Sequence, residues 1–84
     1  MTPEETRCFK LLDRYARSRY RCFVAEMFLN DDETHYVVCF RPTGRDKHLP
    51  NQYACRYVEI QVEDVRAAAR KRMLTDSIAE MLQS

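Results

Sequence analysis

At 84 residues the chain has room for one domain, expected to span residues 1–84, in which folding buries roughly 64% of the unfolded chain's surface. Hydrophobic residues at 45% and charged residues at 32% describe a globular chain rather than a disordered one. A single glycine excludes the glycine-rich loops that cradle nucleotide phosphates, and a net charge of +1 supplies no global attraction to nucleic acid.

Met1-Thr2-Pro3-Glu4-Glu5-Thr6 has no basic-then-apolar targeting pattern. The most apolar runs, near residues 22–29 and 36–40, fall short of the roughly 20 residues a membrane-spanning helix needs. The expectation is a cytosolic protein with no membrane contact. Cys8, Cys22, Cys39 and Cys55 form no Cys-x-x-Cys pair, so neither a metal nor a cofactor is expected, and a reducing compartment makes them free packing residues.

In chain order, Thr2 followed by Pro3, Glu4 and Glu5 marks a helix start. At about 100° per residue, Cys8, Phe9, Leu11, Leu12, Tyr15 and Ala16 share one face, and Arg7, Lys10, Arg14 and Arg17 line the opposite edge. Arg19 falls on the apolar face, which predicts an end near Ser18. Residues 20–30 and 33–41 read as strands joined at Asn30-Asp31-Asp32-Glu33. A two-residue turn at Asp31-Asp32 pairs Leu29 with Thr34, Met27 with Tyr36, Ala25 with Val38 and Phe23 with Phe40 on one face. Residues 41–51 hold the glycine and two of the three prolines and read as a long loop. Residues 52–62 alternate as a third strand, with Val58, Ile60 and Val62 on one side and Tyr53, Cys55 and Tyr57 on the other. Residues 63–83 read as one helix with Ala67, Leu74, Ile78, Met81 and Leu82 on a common face that Lys71 interrupts. The predicted fold is α+β: a helix, a three-stranded antiparallel meander and a helix (αβββα), both helices on one face of the sheet.

Catalysis has little support. His35 and His48 lie in no nucleophile or metal motif, and His35 and Cys39 are about 13 Å apart along a strand, beyond a thiolate–imidazole hydrogen bond. A non-enzymatic role is expected. The sheet face turned away from the helices displays Cys22, Val24, Phe28, Val37, Cys39, Tyr53, Cys55 and Tyr57, where a solvated face alternates to polar residues. The candidate partner-binding residues are Val24, Phe28, His35, Val37, Tyr53 and Tyr57, and the candidate partners are a foreign protein or a second copy forming a homodimer. Small domains without chemistry of their own are common among phage and mobile-element products, anti-CRISPR and other anti-defence inhibitors included. The expected function is therefore binding, with inhibition as its effect.

The alternative is an RNA- or DNA-binding module using Arg7, Lys10, Arg14 and Arg17 on the first helix with Arg66, Arg70 and Arg72 on the last. The order α-β-β-β-α is that of double-stranded-RNA-binding domains, and the two basic stripes resemble theirs. The resemblance stops at topology. Asp31-Asp32-Glu33 stands where that family has a Gly-Pro-x-His loop, and Gln61-Val62-Glu63-Asp64 replaces the basic start of its last helix.

Overall fold

The computed structural model describes residues 1–43 and 56–83. Among them, helix α1 (Pro3–Tyr20) leads into strands β1 (Cys22–Leu29), β2 (His35–Pro42) and β3 (Arg56–Gln61), then helices α2 (Val62–Lys71) and α3 (Asp76–Gln83). The strands form an antiparallel meander in the order β1-β2-β3. All three helices contribute to one core against one sheet face: Cys8, Leu12, Val65, Ala68, Ile78 and Leu82 pack with Val24, Met27, Val38, Phe40, Val58 and Ile60. The expected α+β layering is present.

The start of α1 is a capping box. The Thr2 backbone N–H donates to Glu5 Oε1 at 3.3 Å, and the Glu5 N–H donates to Thr2 Oγ1 at 3.1 Å. The helix runs to Tyr20, past the expected end at Ser18, because Arg19 lays its guanidinium over the Tyr15 ring (5.7 Å to the centroid) instead of entering the core. Arg21, at φ 53°, then turns the chain into β1.

Two features of the hairpin differ from expectation. The connection spans residues 31–34 rather than Asp31-Asp32 alone, so Leu29 faces Tyr36 and Met27 faces Val38. Asn30 stages it: its Oδ1 accepts the N–H groups of Thr34 (2.9 Å) and His35 (3.1 Å), and Glu33 takes the left-handed conformation at φ 58°. The second difference is a β-bulge at Ala25, between the Val24↔Phe40 and Glu26↔Cys39 pairs. It reverses the side-chain alternation before it, turning Cys22 and Val24 inward and leaving Phe23 opposite Arg41 on the outer face.

The C-terminal segment is two helices, not one. On a straight helix Val65 and Ile78 would point about 140° apart, so both could not reach one core. The chain breaks after Lys71, where Arg72 adopts φ 57° and its N–H caps the Ala68 carbonyl. Thr75 restarts it, its Oγ1 accepting the Ile78 N–H at 3.3 Å. In the third strand the described part is Arg56–Gln61, and Val62 belongs to α2. Residues 52–55 and most of the expected long loop lie outside the described residues.

The cysteines also divide. Cys8 is fully buried and free, its thiol pushed up to about 11 by burial. Cys22 is free, with its thiol donating to the Tyr20 carbonyl at 3.3 Å. Cys39 is disulfide-bonded, contrary to the expectation of four free thiols. Spacing along a chain does not show which thiols tertiary folding brings together.

Candidate protein-binding face

The side of the sheet away from the helices is built in cross-strand rows. Phe28 on β1, Val37 on β2 and Glu59 on β3 form one row, and Glu26, Cys39 and Tyr57 form the next. His35 and Gln61 close the face at the turn end, and Phe23 with Arg41 closes the other. Pairs of this kind bring side chains within contact distance of each other. Cys39 at the centre is buried but stands outside the main core cluster.

Two aromatic side chains dominate the surface. Phe28 is 43% exposed and Tyr57 61% exposed, with half-buried Val37 on the strand between them. His35 is half-buried, and its Nδ1 shares a 2.8 Å hydrogen bond with the Thr34 hydroxyl. Glu26 and Glu59 are exposed beside the aromatics, and the exposed Asp31, Asp32 and Glu33 continue this acidic edge at the turn.

Of the six predicted residues, the structure brings Phe28, His35, Val37 and Tyr57 onto this face. Val24 is not on it. The bulge places Val24 in the core at 5% exposure. Tyr53 lies outside the described residues. Phe23 belongs to the face and was missed, because Cys22-Phe23-Val24-Ala25 is apolar in both parities and gives no signal of where a bulge falls.

The basic stripes take a different form. Helices α1 and α2 pack side by side, joined by Arg7, whose guanidinium donates to the Ala69 carbonyl at 3.1 Å. That carbonyl is in the last turn of α2, where intrahelical donors run out. Arg17 binds Asp13 at 2.9 Å and lies over the Phe23 ring at 5.6 Å. Lys10, Arg14, Arg66, Arg70 and Arg72 are exposed. An open groove of about 400 Å³ beside the start of α1 is lined by Met1, Pro3, Thr6, Arg7 and Lys10. No group of three or more His, Cys, Asp or Glu side chains among the described residues is arranged to hold a metal ion, and no helix there is long and apolar enough to cross a membrane.

Comparison with known protein families, with curated proteins and with solved structures finds no match.

Proposed function

We propose that this protein is a non-catalytic binding module that docks on a protein partner through the outer face of its sheet. The observation that carries the reading is the exposure of Phe28 (43%) and Tyr57 (61%) on one face, opposite the face that holds the core. Large aromatics with an apolar body and a polar rim are the residues on which interface energy concentrates. Covering a site on a larger protein is a sufficient mode of action for so small a domain, as it is for phage and mobile-element inhibitors. The non-catalytic reading is supported by the chemistry of the candidates: the Cys8 thiol is buried and held protonated, and His35 is engaged by Thr34. Binding of a duplex by the helix stripes is the weaker reading, because Arg7 and Arg17 are already engaged in the fold.

The test is the pair of substitutions Phe28→Lys and Tyr57→Lys in one chain, compared with wild type by sedimentation velocity and by affinity capture. A wild-type dimer that becomes a folded monomer in the variant identifies the partner as a second copy. A protein captured by wild type and lost by the variant identifies a foreign one. Capture and association unchanged in a folded variant overturn the reading.

A further inference from the structure

We infer that the outer edge of β3 is a self-association site, along which a second copy of this chain adds its own β3 antiparallel and joins two three-stranded sheets into one. The direction of the ladder shows which groups this edge presents. The Val62 N–H donates to the Thr34 carbonyl at 3.4 Å, and hydrogen-bonded pairs alternate along an antiparallel ladder. Arg56, Val58 and Ile60 therefore turn their backbone groups toward β2, opposite Phe40, Val38 and Tyr36. Tyr57 and Glu59 turn theirs away from the sheet, where no described residue bonds them.

The two edges of the sheet are built differently. At β1 the bulge at Ala25 interrupts the run of pairs, the Asp13 carboxylate takes the N–H of Val24, and α1 packs against the strand. Bulges, covering elements and blocked donors are how folded proteins keep an edge from pairing. Among the described residues β3 has none of these. Its register against β2 is unbroken from Arg56 to Gln61, it carries no proline, and Tyr57, Glu59 and Gln61 are exposed. A regular, open edge is a template for one more strand.

The residues on this edge select a copy of the chain as the occupant. A two-fold axis normal to the sheet makes the strands antiparallel, keeps both helical layers on one side and opposes residues of like parity. With Glu59 on the axis, two carboxylates would stand directly opposite each other, which is destabilising. With Val58 on the axis, Tyr57 of each copy faces Glu59 of the other, and each such pair exchanges two N–H···O=C bonds. That register satisfies the outward N–H and C=O of both residues in both copies. It sets Val58 against its own copy on the buried side of the sheet. On the outer side it aligns the row of Phe28, Val37 and Glu59 in one copy with Tyr57, Cys39 and Glu26 in the other. The pairing uses main-chain groups at the edge, so it goes beyond the proposed docking face, which it leaves uncovered and makes continuous across two copies.

The experiment is sedimentation velocity of the full chain from about 10 μM to about 1 mM, with amide hydrogen exchange read residue by residue by NMR at both ends of that range. A reversible dimer is expected. In a sample about nine-tenths dimeric, the Tyr57 and Glu59 amides should exchange about tenfold slower than in monomer, because the monomer fraction sets their rate. The Val58 and Ile60 amides, already turned toward β2, should be slow at both concentrations. Glu59→Pro removes one edge donor per copy and no donor to β2, and should raise the dissociation constant by about 30-fold or more. Glu59→Ala keeps that donor and should raise it by no more than about fivefold. Circular dichroism checks that each variant is folded, and the wild-type exchange rates suffice if the proline chain is not. A chain still monomeric at about 1 mM, a dimer whose Tyr57 and Glu59 amides exchange at the monomer rate, or equal loss in the two Glu59 variants would each overturn the inference. The chain carrying Phe28→Lys and Tyr57→Lys should still form this dimer, since its new cation at position 57 faces Glu59 of the other copy. A dimer lost in that chain would count against the edge and for the face, so the two readings fail separately.

Discussion

The Asp13 carboxylate on α1 accepts the backbone N–H of Val24 on β1 at 2.9 Å. Val24 is where the β-bulge begins, and β1 is an edge strand, so this N–H lacks a partner strand on its open side. The same carboxylate holds Arg17, which reaches on to Phe23. One side chain on the first helix therefore satisfies an edge N–H beside the bulge and holds Arg17 next to it. Asp13→Ala should cost about 1–3 kcal/mol by leaving a part-buried N–H unpaired. Chemical denaturation checks this, and an unchanged midpoint would show that water satisfies Val24 equally well.

Acid should unfold the protein partly through the same group. Burial pushes the Asp13 carboxyl up, but the Val24 N–H and the Arg17 guanidinium outweigh it and hold it below its ordinary 3.8. A carboxyl with a lowered folded value stabilises the fold at pH above 3.8, and that contribution is lost as pH falls through the folded value. Asp13→Asn keeps an acceptor for Val24 but does not titrate. Its stability should therefore fall less between pH 5 and pH 2 than wild type's, as read by thermal melts across that range.

Arg72 ends α2 in the left-handed region at φ 57°, where a side chain is costly and glycine is not. Arg72→Gly should raise stability by about 0.5–1 kcal/mol, because the cost falls on Cβ and the Arg72 side chain is exposed. A lower melting temperature for this variant would mean that the side chain holds the junction between α2 and α3.

Ile78 and Leu82 carry α3 into the core at 0% and 6% exposure. Ile78→Ala should cost about 2–5 kcal/mol, as much as truncating a core residue of the sheet, if α3 is integral to the fold. A loss below 1 kcal/mol, measured by urea titration, would show α3 to be a detachable appendage.

The Cys8 thiol should react with a disulfide reagent only through opening of the α1 core, since it is fully buried and its acidity is suppressed. Cys22, which is half-buried at the start of β1, should react first. Rate measurements on Cys8→Ala and Cys22→Ala chains assign the two phases.

What the residues determined alone were the local elements and the layering. Thr2, Pro3 and Glu5 specify the start of α1 because capping is settled within one turn, and the meander order follows from strands joined in sequence. The inner residues Met27, Val38, Val58 and Ile60 were legible because alternation by two assigns a face wherever one parity is apolar. Tertiary structure decided the rest. The bulge at Ala25 exchanged Val24 for Phe23, since β1 is apolar on both parities there and its sequence does not choose between them. The break after Lys71 exists because Val65 and Ile78 must reach the same core, a demand that the sheet makes and the helix sequence does not.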